Sequence, residues 1–260
     1  MKKIIISFVC LFVFAVSAFA HPYEMVNFFM NKAVTGDAQA KSLLSEFAKD
    51  VGQAISGGAY GVGGNLDTFG FTLSIKMSYQ QLLTNDLIAT RLGDSAINYP
   101  IIQGEFLLSE NLTGIGRISY SNDSYVIGAG ARYLAYEGYD YIPTISVQSV
   151  FNYMIANVPV QDARAYVPNQ GRVEFHSWNL KTAPTFYFQD VPYVQPYFFV
   201  SFDVTELNLL SSDRSGLSTY AYGVGYGLGA QAKIEPLNLS FTLSVYESRL
   251  NYNFGVFVGF

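Results

Sequence analysis

The sequence predicts an all-β chain, a transmembrane antiparallel up-and-down barrel of about ten strands (10–12), with a short N-terminal helical segment. Three observations predict it. At the C-terminus, Tyr252, Phe254, Val256, Val258 and Phe260 occupy every second position, which is a strand with one apolar face and not a solvated tail. From Phe69 onward hydrophobicity keeps a period of two. Half of the residues are hydrophobic, yet past residue 20 no stretch comes near 18 uninterrupted apolar residues, so the apolar content is distributed by alternation and not in spanning helices.

The chain opens with Lys2 and Lys3, an apolar run from Ile4 to Val16 and the small-x-small sequence Ala18-Phe19-Ala20. This pattern predicts a cleaved secretory signal peptide over residues 1–20, with the mature chain starting at His21. Cys10, the single cysteine, lies within the leader, so the mature chain has no thiol chemistry or disulfide framework. Without Lys2 and Lys3, 13 basic residues face 20 acidic ones, and the net charge of about −7 argues against nucleic-acid binding.

Residues 21–58 hold the helical reading. Asp37 is a candidate N-cap; Ala40, Leu43, Leu44, Phe47, Ala48, Val51, Ala54 and Ile55 fall on one face, and Lys41, Ser45, Glu46, Lys49 and Asp50 on the other. Gly57-Gly58 ends the helix, and a shorter apolar helix around Val26, Phe28, Phe29 and Met30 is expected before it. The charged face rules out lipid on all sides, so the helix packs one face on protein, either as a plug in the barrel or below it on the periplasmic side.

Residues 59–260 form the barrel. The first strand sets Phe69, Phe71, Leu73, Ile75, Met77 and Tyr79 against Gly70, Thr72, Ser74, Lys76, Ser78 and Gln80. Further strands are expected over 100–109, 112–121, 124–136, 141–155, 172–189, 193–206, 218–233, 237–248 and 251–260. The connections support this division: 81–99, 156–171 and 207–217 are long and follow odd strands, while 110–111, 137–140, 190–192 and 234–236 are short and follow even ones. Glycine-rich 59–64 reads as a linker or an additional strand.

Fixing each strand by its apolar face assigns the interior. Lys76, Glu105, Arg117, Arg132, Lys181, Asp203 and Lys233 point inward, a mixed set with a basic excess that forms either an ion-paired core or a selectivity ring. Gly223, Gly225, Gly227 and Gly229 form an inward glycine wall, either serving curvature under aromatics of adjacent strands or receiving the helix. Tyr187, Tyr197, Phe199, Tyr246 and Phe257 also point inward, which favours a filled or apolar-ligand-binding lumen over an open pore.

No metal site or cofactor is indicated. The mature chain holds only His21 and His176, and no HExxH, nucleophile elbow, phosphate loop or calcium loop occurs. Glu174-Phe-His176-Ser177 superficially resembles the His and Ser arrangement of outer-membrane lipid A deacylases and phospholipases, but adjacent strand residues point to opposite faces. The chain is therefore expected not to be an enzyme.

With its alternating strands and terminal Phe260, the chain resembles a small bacterial outer-membrane β-barrel, and a helix ahead of a barrel is loosely similar to fatty-acid transporters with an N-terminal hatch, which have more strands. The resemblance implies an outer-membrane location, outer-membrane lipids and the barrel-assembly machinery as partners, and Phe260 with Tyr252, Phe254, Val256 and Val258 as the assembly signal. The expected function is passive transport or binding of a small, apolar molecule; a structural or surface-interaction barrel is the alternative, and a lipid-modifying enzyme a minor one. Deleting Phe260 is expected to lower insertion, read as loss of the heat-modifiable band in membrane fractions; normal insertion would show that the terminal residue is incidental.

Overall fold

The computed structural model describes residues 38–57, 70–82, 96–121, 124–138, 141–158, 171–210, 218–234 and 237–259. A helix, α1 (Ala38–Ser56), precedes ten strands: β1 (Phe71–Gln81), β2 (Ala96–Ser109), β3 (Leu112–Ser121), β4 (Ser124–Tyr136), β5 (Thr144–Val158), β6 (Gly171–Thr185), β7 (Val194–Leu210), β8 (Ser218–Ile234), β9 (Leu237–Tyr246) and β10 (Arg249–Gly259). The expected leader, His21, the earlier short helix, Asp37, the 59–64 segment and Phe260 lie outside the described residues.

Each strand pairs antiparallel with the next, and β10 returns to β1 from Thr72 opposite Gly259 to Gln80 opposite Asn251, so the sheet closes into a barrel. Closure pairs the backbone donors and acceptors that an open edge would leave free, a requirement in hydrocarbon. The side chains are arranged inside out relative to a water-soluble sheet. Thr72, Ser74, Lys76, Ser78 and Gln80 of β1 are buried, while Phe71, Leu73 and Tyr79 between them are exposed. The same alternation exposes Ile118, Ile127, Phe151, Val200, Phe202, Tyr222, Val224, Tyr226 and Leu228 around the circumference. Such a continuous apolar exterior fits a bilayer as its outer solvent. Among the described residues no helix is long and apolar enough to cross a membrane.

Several boundaries shift from the sequence expectation, among them those of β2, β5, β7 and β10. β2 begins at Ala96 and not at residue 100, because Ile97, Asn98 and Tyr99 are already in register with Gln80, Tyr79 and Ser78; Pro100 removes one donor without ending the strand. On the lower rim the β4–β5 and β6–β7 connections lengthen to 137–143 and 186–193. Among their described residues, Gly138 N donates to Thr144 Oγ1 (3.1 Å), Val191 N to Phe188 O (3.1 Å) and Phe186 N to Pro196 O (2.9 Å). Phe186 stacks on Phe188 and on Phe198, and Tyr141 meets Phe188, forming an aromatic girdle at this rim.

The two rims are unequal. β1 begins and β10 ends at the lower rim, and the two longest connections, 82–95 and 159–170, lie at the upper one. Val224 lies near the middle of β8 and is 55% exposed. Val224→Arg is expected to destabilise the folded barrel in lipid vesicles by roughly 2–4 kcal/mol. Ser74→Ala, which removes a buried hydroxyl donating to Gln103 O at 3.1 Å, is expected to cost about 1 kcal/mol. Denaturant titration in the same vesicles compares the two; equal effects would reverse the assigned faces.

Candidate functional site

α1 lies inside the barrel. Leu44, Phe47, Ala48, Val51, Ala54 and Ile55 are 0–1% exposed and share one apolar cluster with Ile97, Tyr99 and Ile101 of β2, Met154 of β5, Phe175 of β6 and Leu207 of β7. Phe47 meets Phe175 edge to face at 6.2 Å between centroids. Burial of a Leu, Phe, Val or Ile side chain contributes roughly 1.5–3 kcal/mol each, so these contacts form a folding core.

The room for a helix comes from small inward side chains that register across strands. Asn152, Ser177, Thr205 and Ala221 stand side by side on β5, β6, β7 and β8. Ser56 Oγ lies 2.9 Å from Ser177 Oγ, and Thr205 Oγ1 donates to Ser177 Oγ at 3.3 Å. On the helix side Gly52 faces Thr205 and Gly57 faces Ser78, so closely that a Cβ on either glycine would overlap the facing hydroxyl.

Polar residues in the middle of α1 and the carbonyls at its C-terminal end are tied to the wall. The sequence placed Asp50 on a charged face away from protein, but it is 0% exposed and ion-paired with Arg249, which also binds Glu46. Where the barrel encloses the helix, around Asp50, the charged face has no solvent side and must find partners. Arg249 was missing from the inward set because the sequence reading put it in a turn; as the first residue of β10 it shares the inward parity of Asn251 and Asn253. Lys49 Nζ reaches Glu247 Oε2 at 2.6 Å, and Ser45 Oγ donates to Tyr220 O at 3.0 Å. At the other end Arg117 Nη1 donates to Ile55 O (3.1 Å) and to Asn152 Oδ1 (3.1 Å), and its Nη2 to Gly57 O (2.8 Å). A cation here satisfies C-terminal helix carbonyls and complements the helix dipole.

Beneath the helix, Arg132 Nη2 binds Glu105 Oε2 at 2.8 Å, Lys76 Nζ stands 3.9 Å from Glu105 Oε1, and Gln103 Nε2 donates to that oxygen at 2.5 Å. Asn179 donates to Asp203, and Lys181 Nζ lies over the Phe199 ring at 5.1 Å. Lys76, Glu105, Arg117, Arg132, Lys181 and Asp203 are all 2–6% exposed. Lys233 stands apart, half-buried beside the β8–β9 turn, with its backbone N bonded to Tyr193 O at 2.8 Å.

The glycine wall divides between two neighbours. A Cβ on Gly223 would lie 2.9 Å from Gln53 Nε2 of the helix, whereas one on Gly225 would strike Tyr246, on Gly227 Phe199, and on Gly229 Tyr197. The expected contact between Gly225 and the helix is therefore replaced by one with an aromatic side chain of the adjacent strand. Tyr197 OH is fixed 2.6 Å from Thr242 Oγ1.

His176 lies on the outer surface, with Nδ1 3.1 Å from Glu206 Oε2 and Nε2 3.9 Å from Glu174 Oε2, while Ser177 faces the lumen. Of the terminal strand, Tyr252 and Phe254 are exposed on the outer face and Val256 and Val258 are half-buried.

No family model matches the chain, and no curated protein matches it. Among solved structures, the chain is similar to the translocator domain of the autotransporter NalP from Neisseria meningitidis (12% identity, 86% of this chain and 98% of that chain, TM-score 0.46). It is also similar to the KdgM porin (8% identity, 73% and 99%, TM-score 0.39) and to Ail, the attachment invasion locus protein of Yersinia pestis (13%, 74% and 97%, TM-score 0.36).

Arg249→Met leaves the buried Asp50 without its cation and is expected to cost about 3–5 kcal/mol in denaturant titration, with Asp50→Leu added to it restoring much of the loss. Gly225→Trp is expected to impair folding through Tyr246; rescue by Tyr246→Gly would confirm that contact, and rescue by trimming the helix instead would refute it.

Proposed function

We propose that the chain is an outer-membrane barrel closed by its own helix, a structural, surface-interaction barrel whose working parts are at its outer mouth. The observation that carries this reading is the filling of the lumen. Apolar helix residues at 0–1% exposure occupy its upper part, and ion-paired and aromatic side chains buried to a similar degree occupy the part beneath. A water-filled pore would leave inward charges hydrated; here Glu105 is enclosed by Arg132, Lys76 and Gln103. An ion-paired interior of this kind serves as a core, and passive transport of a small molecule would require displacing a helix whose apolar residues belong to that core.

The membrane and the side follow from general barrel architecture. Bacterial barrels keep short turns on the periplasmic side and carry longer loops outside, which assigns the upper rim, with connections 82–95 and 159–170, to the outside. Outer-membrane lipids then contact the apolar exterior, and the barrel-assembly machinery inserts the chain. The reading gives the chain no catalytic step, cofactor or metal.

Full-length protein in planar bilayers is expected to show no steady conductance, and a variant lacking residues 38–57 is expected to conduct or to fail to fold, which circular dichroism separates. Steady, voltage-independent conductance of the intact protein would overturn the closed-barrel reading.

A further inference from the structure

We propose that the lumen beneath α1 holds a small inorganic anion, bound by the ammonium of Lys181 with Lys76 and Arg117 facing it. The observation that carries this is a buried cation without an acceptor. Lys181 is 2% exposed, and among the described residues its Nζ meets no hydrogen-bond acceptor and no carboxylate at ion-pair distance. It lies over the face of Phe199, 5.1 Å from the ring centroid. The carboxylate nearest in register is Asp203, because Asn179 stands opposite it and Lys181 stands opposite Ser201. The ammonium is turned to the other side, toward Phe199, and Asp203 accepts from Asn179. A cation over an aromatic ring gains far less than an ammonium loses on leaving water, so the ring does not replace an acceptor for its three donors.

The charge around Lys181 is unbalanced in the same sense. Glu105 is shared by Arg132, Lys76 and Gln103, and Arg117 bonds neutral oxygens, those of Ile55, Gly57 and Asn152. Lys76, Arg117 and Lys181 lie close enough to repel one another across the lumen. Among the described residues of this region, the buried cations Lys76, Arg117, Arg132 and Lys181 thus face two buried carboxylates, Glu105 and Asp203. Enclosed charges of this kind are poorly screened by ions in bulk solution. The class of ligand follows from the surroundings. Arg117 and Gly57 close the region above, and Phe199 and Tyr197, whose hydroxyl is fixed to Thr242, lie below. What the region lacks is negative charge, and a halide supplies it in the least volume inside a close-packed interior. Such an ion offsets repulsion between Arg117, which holds the helix end, and Lys181 of β6, so its place is in the core and not in a path through it.

Crystals of the full-length protein grown in sodium bromide test the position: an anomalous peak is expected beside Lys181 Nζ, and its loss is expected in Lys181→Met. Denaturant titration in lipid vesicles tests the same site in solution. At equal ionic strength the folding equilibrium constant is expected to be about tenfold larger in bromide than in gluconate, the factor that applies when bromide is at roughly ten times its dissociation constant. Lys181→Met is expected to erase that difference, and Lys233→Met, at a cation outside the group, to keep it. If Lys181→Met does not fold, the wild-type peak together with the wild-type salt difference decides. The inference is overturned by the absence of a peak in the wild type, or by a peak that persists in Lys181→Met. It is equally overturned by a peak with equal stability in the two salts, which would mean binding at crystal concentration only.

Discussion

The interior of a closed ten-stranded sheet is too narrow to be left to chance, and the need to fill it governs the rest of this molecule. Outside, any apolar side chain is acceptable to lipid, so the exterior specifies little beyond parity. Inside, each side chain competes with those from the other strands for one shared volume. The chain meets this demand with two kinds of filling: an amphipathic helix in the upper part, and charged and aromatic residues beneath it. Where the helix passes, a row of small and polar residues gives it room beside large apolar ones that pack on it.

Enclosure changes what the polar groups of the helix do. On a water-soluble bundle Glu46, Lys49 and Asp50 would be a hydrated face worth little energetically. Inside the barrel Lys49 and Asp50 lose most of that hydration and are paired by the wall with Glu247 and Arg249, while Glu46, still part-exposed at the mouth, adds a second contact to Arg249. Arg117 does the equivalent for carbonyls at the helix C-terminus. Arg249 holds the middle of the helix near the upper rim and Arg117 its C-terminal end, and together they set its depth and direction. Buried pairs of this kind give little net stability over an apolar core, but losing one partner is costly, so they define a single seating for the helix.

That seating links the fold to the proposed role. With its termini at one rim the barrel proper is an ordinary hairpin array, but the helix bonds near the other rim. The molecule is therefore polar along its axis, with long connections and the start of the helix at one mouth. A filled lumen makes passage through it secondary to what is held at that mouth.

Much of this was legible in the sequence, because the physics that encodes it is local. Period-two hydrophobicity from Phe69 onward specifies strands and faces without knowledge of partners, and it placed Lys76, Glu105, Arg117, Arg132, Lys181 and Asp203 on the inward side, where they lie. The amphipathic period of 38–56 likewise announced a helix. What the tertiary structure alone decided depends on register between strands distant in sequence. Asn152, Ser177, Thr205 and Ala221 are unremarkable residues on four strands until hydrogen bonding aligns them into the surface that receives the helix. The glycine stripe along β8 was visible because it lies along one strand, but most of it serves Tyr246, Phe199 and Tyr197. Asp50 read as a solvent residue because amphipathicity reports contrast between faces and not whether the polar face is wet; only closure of the barrel around the helix turned it toward Arg249.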